Sequence, residues 1–370
     1  MSFVAMSAAC AGLCADEAGR IPRKVAKPVR VAVYQDPKNS TLSIARMLAY
    51  SPEYEVEFLG PEEYASGALE NFDVVIQPGG GSTSQYTALG KKGVEALARF
   101  VRGGGKYYGV CAGAFMALQQ SRPNRPRLGL VPFKGDDPPH YRGSGSVKID
   151  FTPEGMEELG CTNSSRVVFY AGGPAAVPGE KVPDSDIKVF GRYGGNLFDT
   201  DGKHEVADMT GKAAFIGGRV GKGKVFLSCP HPESDEETFD IVRGAMEYLT
   251  GVRPTGPIRL ARPRGAMTVR YRTYDSGAAR FLFDTLLPDA RFHIRYGKGW
   301  ENLAGVDAAV ETGPVKPRDI KGINAYIARG GRVVLLCDTP EKRAAAEKVR
   351  GAELVGSYAE LVGALLAPRG

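Results

Sequence analysis

The sequence predicts an α/β protein in which a parallel sheet flanked by helices is followed by a smaller α/β domain. Three observations carry this. From Val29 onward, short runs rich in β-branched and aromatic residues alternate with amphipathic segments, the order that crossover helices impose on a parallel sheet. Glycine clusters fall where a helix should stop and a strand begin, at Gly103-Gly104-Gly105 and Gly330-Gly331. The order of the opening segments then returns after a proline-rich break at 251–265.

Taken in order, Val29 to Tyr34 reads as a strand, and Ser40 or Thr41 can cap a helix running through Ala49. Tyr54 to Leu59 is a second strand, and Asp73 to Gln77 a third that ends in Pro78-Gly79-Gly80-Gly81-Ser82. Lys91 to Arg102 reads as a helix and Lys106 to Val110 as the next strand. Further strands are expected at Ser146–Phe151, Arg166–Tyr170, Ile187–Arg192, Ala213–Gly217 and Lys224–Cys229, with a helix from Glu236 to Leu249. After the break come a strand at Met267–Tyr271, a helix at Ser276–Leu287, strands at Arg291–Arg295 and Val306–Glu311, a helix at Ile320–Arg329 and a strand at Arg332–Leu336. Both halves thus run helix, glycine stop, strand, cysteine, ending at Cys111 and Cys337. The expected division is 1–27 as signal remnant and linker, 28–251 as the main domain, and 266–370 as a degenerate partial repeat of its first half.

Composition narrows the function classes. With 43% hydrophobic and 24% charged residues the chain is long enough for two cores and shows no bias towards disorder. The net charge of +6 is spread along the chain, and basic spots such as Arg20 to Lys27 and Arg259 to Arg264 fall in linkers without interleaved aromatics, so no nucleic-acid partner is expected. Six cysteines (10, 14, 111, 161, 229, 337) and four histidines (140, 204, 231, 293) form no CxxC, HxH or HxxxH group, so neither a metal nor another cofactor is expected. Met1 to Ala15 is apolar and uncharged like the core of a secretory signal but lacks its basic start, which leaves export and a cytoplasmic location both open. No later run is long enough to span a membrane.

Three segments could carry chemistry. In Gly109-Val110-Cys111-Ala112-Gly113 a cysteine stands on a strand-to-helix turn that only small neighbours permit, with the Ala112 N–H beside it and a helix start favouring thiolate. Cys229-Pro230-His231-Pro232-Glu233 follows a strand and supplies a base and a carboxylate to orient it. Gly79-Gly80-Gly81-Ser82 lets backbone N–H groups approach an oxyanion, so Gly80, Gly81 and Ala112 are the expected oxyanion donors. It lacks the Lys-Ser/Thr of a P-loop and the GxGxxG of a dinucleotide fold. Ser82, Phe115, Tyr170, Gly172 and Gly173 are candidates for a substrate pocket. The polar Asp136 to Arg142 segment reads as a loop over the site or a plain surface excursion, and Cys229 and Cys337 read as core.

Together these segments resemble the class I glutamine amidotransferases. They resemble most closely the amidotransferase-like N-terminal domain of eukaryotic-type biotin–protein ligases and its stand-alone bacterial relatives. The likeness runs over residues 29–250 and rests on Pro78-Gly79-Gly80-Gly81, Gly109 to Phe115, Tyr170-Ala171-Gly172-Gly173-Pro174 and Pro230-His231-Pro232-Glu233. It implies a flavodoxin-like fold, Cys111 as nucleophile, His231 as base, Glu233 as its orienter, and Gly80 and Ala112 near the oxyanion. Glutamine-using members carry Gln where this chain has Phe115, and neither a biotin-ligase catalytic half nor an ammonia-accepting synthase is recognisable after residue 250. The expected activity is therefore hydrolysis of an amide or peptide bond in a small-molecule or peptide substrate. A non-catalytic ligand- or protein-binding module and a DJ-1/PfpI-like stress protein or protease are the alternatives. The latter pairs its cysteine with an acidic residue from an early strand, and Tyr34-Gln35-Asp36 offers no convincing counterpart. Residues 266–370 could serve a homodimer or a protein partner.

Overall fold

The computed structural model describes residues 21–39, 41–121, 126–136, 143–198, 205–257, 260–296, 300 and 303–367. Cys10, Cys14, the signal-like segment, the Ser40 cap, His204 and residues 137–142 with His140 lie outside them. The described chain falls into two compact units. One holds residues 22–257 together with Thr273–Phe281, and the other holds 260–272 and 282–367.

The first unit begins with β1 (Val29–Tyr34), α1 (Leu42–Ala49), β2 (Tyr54–Leu59), α2 (Pro61–Ala65), β3 (Val74–Gln77), α3 (Ser82–Gly103), β4 (Lys106–Val110) and α4 (Ala112–Ala117). It continues through β5 (Phe133–Asp136), β6 (Ser144–Phe151), α5 (Pro153–Leu159), β7 (Ser165–Ala171), β8 (Ala175–Pro178), β9 (Ser185–Tyr193), β10 (Leu197–Phe198), β11 (Glu205–Ala207), β12 (Ala213–Val220), β13 (Gly223–Ser228) and α6 (Phe239–Thr250). The main sheet runs β2-β1-β3-β4-β13-β12-β9-β6-β7. Its first part, β2-β1-β3-β4-β13, is parallel as expected. The rest is antiparallel, so the sheet is mixed. The reason is local: Gly221, at φ 58°, closes a tight turn between β12 and β13, and a short hairpin can join only antiparallel strands.

Burial follows the pattern that parallel strands require. Residues Val31 to Tyr34 and Val74 to Gln77 are buried on both faces, and α1 lays Ile44, Met47 and Leu48 on the sheet. Helix α3 starts at Ser82, nearer the glycine loop than the expected Lys91. It is interrupted at Gly90, whose φ of 60° is not helical. A glycine governs the packing of α6 on α5. A Cβ on Gly244 would lie 2.1 Å from the carbonyl oxygen of Leu159. Gly244→Ala gains roughly 1 kcal/mol of helix propensity. It also forces apart two backbones that cannot yield, an overpacking cost of about 1–3 kcal/mol or more. The clash wins, and thermal unfolding of Gly244→Ala is expected below that of the parent.

The second unit has β14 (Met267–Arg272), β15 (Phe292–Tyr296), β16 (Ala308–Glu311), β17 (Arg332–Leu336) and β18 (Glu353–Val355), all parallel in the order β15-β14-β16-β17-β18. Helix α7 (Ser276–Phe281) falls with the first unit and continues as a π-helical turn, Leu282–Leu286. Then come α8 (Pro317–Ala328), α9 (Pro340–Ala346) and α10 (Tyr358–Leu366). Trp300, Ile323, Tyr326, Val333 and Leu335 belong to the core. The strand order second, first, third, fourth is the one found at the start of the first unit. The glycine stops also match: Gly105 N–H donates to Phe100 O beneath the Phe100 ring, and Gly331 N–H donates to Tyr326 O beneath the Tyr326 ring.

Candidate active site

The carboxyl ends of β3, β4 and β13 meet around Cys111. Among the described residues Cys111 is the one non-glycine with positive φ, at φ 48° and ψ −97°. An L-residue held there is strained, and the surroundings must over-determine it. Its N–H donates to Ser228 O at 2.8 Å, its carbonyl accepts from Phe115 N at 2.9 Å, and Gly113 N–H donates to Pro78 O at 3.1 Å. Tyr107 Oη locks the turn from below through Gly113 O at 2.7 Å. The glycines flanking Cys111 are steric necessities. A Cβ on Gly113 would lie 2.0 Å from Gln77 O, and one on Gly109 would lie 2.7 Å from the Gly113 carbonyl carbon.

His231 stands at the end of β13, its N–H donating to Phe169 O at 2.7 Å. Its Nδ1 is 2.7 Å from Glu233 Oε1, and the two side chains are only 13% and 10% exposed. The imidazole occupies the space a side chain at Gly79 would need: a Cβ there would meet His231 Cε1 at 2.9 Å and Cys111 Cβ at 3.6 Å. Burial, the largest single influence, pulls the His231 pKa down. Hydrogen bonding and charge from Cys111 and Glu233 together outweigh it and raise the pKa to about 10. Burial pushes Cys161 up to about 11 and moves Cys229 and Cys337 the same way.

The expected oxyanion donors divide. Gly81 N–H already donates to Asn39 Oδ1 at 2.7 Å and is not a free donor. Gly80 and Ala112 N–H make no hydrogen bond to the described residues. The pocket candidates divide too. Tyr170 is fully buried with its hydroxyl on Gly173 O at 2.7 Å, so it anchors its loop from within the core and does not line a cleft. Gly173 sits so close to the Cys229 carbonyl that a Cβ would be 1.9 Å away, and Gly172 turns the chain at φ 67°. That loop reaches the site through a residue the sequence did not single out: Ala171 O lies 3.7 Å from Cys111 Sγ. The Phe115 ring packs against Gly135 and under the Arg127 guanidinium, 5.2 Å away. Ser82 opens α3, half-buried, and makes none of the hydrogen bonds that hold Cys111 and His231. Among the described residues no group of three His, Cys, Asp or Glu could hold a metal ion, and no helix is long and apolar enough to cross a membrane.

This fold, with a strained cysteine after β4 and a His-Glu pair after β13, defines a class I glutamine amidotransferase-like α/β protein. Within that class, the biotin-protein ligase N-terminal family matches residues 29–123 and 133–250, and the chain belongs to that family. Among solved structures it is similar to PurLQS from Thermotoga maritima, at 18% identity over 60% of this chain and 100% of that one, with a TM-score of 0.42. A candidate GMP synthase subunit from Thermoplasma acidophilum is 15% identical over 60% and 95% of the two chains, with a TM-score of 0.42. A candidate ThuA-like protein from Bacteroides uniformis is 12% identical over 65% and 99%, with a TM-score of 0.42.

Proposed function

We propose that the chain is an amidotransferase-like cysteine hydrolase acting on an amide or peptide bond through Cys111, His231 and Glu233. The observation that carries this reading is the strained Cys111 turn beside a partly buried His231 that is itself oriented by Glu233. A backbone strain of this kind costs on the order of 1–3 kcal/mol and commonly marks a residue held for its reactivity.

The thiolate is the attacking species, and a protonated His231 beside it stabilises that charge. Sulfur adds to the substrate carbonyl, and the oxygen takes up the negative charge facing Gly80 and Ala112 N–H. The carbon–nitrogen bond breaks as His231 gives its proton to the leaving amine. Water then adds to the thioester, with neutral His231 accepting its proton, and the carboxylic acid leaves as the sulfur is released. Phe115 stands where glutamine-using members carry a glutamine, and its ring is engaged with Gly135 and the Arg127 guanidinium, which favours a substrate other than free glutamine.

Alkylation by iodoacetamide tests the core of this reading. Cys111 is expected to react ahead of Cys161, Cys229 and Cys337 at neutral pH. In His231→Ala that advantage is expected to be lost. A parent Cys111 that behaves like a free thiol sinks the proposal. The His231 pKa of about 10 sets a second limit: it lies above the ordinary value of 6.5, so the imidazolium's contribution is fully present below pH 6.5 and is lost as pH rises through about 10.

A further inference from the structure

We propose that Asn39, held by Asp36, is a positioning residue that sets the Gly80 N–H for the oxyanion, an inference that rests on the hydrolase reading above. Asn39 lies in the loop after β1, is 1% exposed, and grips the glycine loop after β3. Its Oδ1 accepts from Gly81 N at 2.7 Å. Its Nδ2 donates to Asp36 Oδ1 and Oδ2, each at 2.7 Å, with Ser84 Oγ at the margin at 3.5 Å. This fixes the amide: a flipped side chain would set an oxygen against a carboxylate and an NH2 against an N–H. Asp36 is 6% exposed and saturated in turn, accepting from Lys38 N at 2.7 Å, Asn39 N at 2.9 Å and Tyr34 Oη at 2.8 Å. Tyr34 stays a donor because burial, aided by the Asp36 charge, pushes its hydroxyl pKa far up.

The grip acts on Gly80 from both sides. Gly80 stands at φ 127°, where a Cβ would meet Asn39 Oδ1 at 2.1 Å, so the Asn39 amide lies directly on its Cα. The next N–H is pinned by Asn39, and the preceding residue, Gly79, is pressed against the His231 ring. The Gly80 N–H therefore has little freedom to turn, and it makes no hydrogen bond to the described residues. A donor preorganised in this way costs no reorientation when charge appears on the substrate oxygen. A loop held only for stability would have no need to leave that N–H open.

Two reactions of Cys111 separate positioning from general support. p-Nitrophenyl acetate acylates the thiol through a tetrahedral oxyanion, whereas iodoacetamide alkylates it by displacement and forms none. Asn39→Ala is expected to slow acetylation of Cys111, followed by p-nitrophenolate release and by mass, by about tenfold to hundredfold, while alkylation stays within about twofold. Ser84→Ala, which removes the 3.5 Å contact with Asn39 and the Oγ–H bond to Gly81 O at 2.8 Å but leaves the Gly81 N–H held by Asn39, is expected to leave both rates near the parent's. Should Asn39→Ala fail to fold, Asn39→Asp carries the same comparison, because it keeps an acceptor for Gly81 but sets a carboxylate against Asp36. Equal loss in both reactions, or loss in neither, overturns the proposal. A parent that alkylates readily yet acetylates no faster than a cysteine peptide fails instead at the hydrolase reading, and the oxyanion role falls with it.

Discussion

Replacing Gly79 with alanine is expected to silence Cys111 while leaving the chain folded. Gly79 does not need glycine's backbone freedom, since its φ lies outside the left-handed region. What it supplies is space. A Cβ there would approach His231 Cε1 to 2.9 Å, closer than real contacts allow, so the ring must move. A flexible side chain would swing away at little cost. His231 has no such latitude, because Glu233 holds Nδ1 at 2.7 Å, prolines flank it on both sides, and its N–H is tied to Phe169 O. Displacement therefore breaks either the His–Glu bond or the approach to Cys111. A cysteine that loses its imidazole partner loses the cation that favours the nucleophilic thiolate. Alkylation of Cys111 in Gly79→Ala is thus expected to fall by about tenfold or more, to the level of His231→Ala. The melting temperature should move little, because only side-chain atoms must yield. Gly103→Ala, whose Cβ meets open space, serves as the control. A Gly79→Ala protein with parental thiol reactivity would show that the imidazole is not confined as the geometry requires.

The same steric logic explains which parts of the site were legible in the sequence. Gly109 and Gly113 are dictated by contacts with the turn itself and with Gln77, so the glycine spacing around Cys111 carries its own reason. His231 and Glu233 are two residues apart, and their bond is local. Asn39 is different. Its bond to Gly81 spans a strand crossing, and nothing near residue 39 in the chain announces it. Asp36 entered the sequence reading only as no convincing counterpart of the acidic partner that DJ-1/PfpI-like proteins give their cysteine, and its role in holding Asn39 was not legible because its partners are its own loop and a tyrosine of β1. Tyr170 looked like a pocket wall because small residues follow it, yet alternation along β7 turns its ring into the core. The antiparallel half of the sheet was hidden for another reason. Its strands read as β whichever way they run, and direction depends on which neighbour they find. In the second unit the glycine stop and the strand to Cys337 were both legible, and the missing glycines in Leu335-Leu336-Cys337-Asp338-Thr339 correctly marked a cysteine without a strained turn.

The second unit should lose stability sharply when Arg272 is replaced by methionine. Glu311, at the end of β16, is 3% exposed, and burial raises its pKa above the usual range despite the neighbouring arginines. Arg272 Nη1 is 3.2 Å from Glu311 Oε2 and 3.6 Å from Asp319 Oδ2, while Arg270 Nη1 stands off at 4.0 Å. Arg272 thus makes the shortest ion pair that Glu311 has, and removing it leaves a buried carboxylate short of its closest counter-charge. Loss of one partner from a buried pair costs about 3–5 kcal/mol, far above the 0–1 kcal/mol of a surface pair. The sign with pH follows from Glu311. Its folded pKa is raised and rises further once Arg272 is gone, so the neutral acid is the form the variant tolerates. The deficit should accordingly be largest at pH 7 and shrink as pH falls towards 4.5, and Glu311→Gln in the Arg272→Met background should recover much of it at neutral pH. The chain carries a single tryptophan, Trp300, in the core of this unit and 4.4 Å beneath the Arg270 guanidinium. Urea unfolding followed by its fluorescence therefore reports on the second unit alone. A neutral-pH midpoint unchanged by Arg272→Met, or a deficit that grows on acidification, would mean that Glu311 is not held as a buried anion by Arg272.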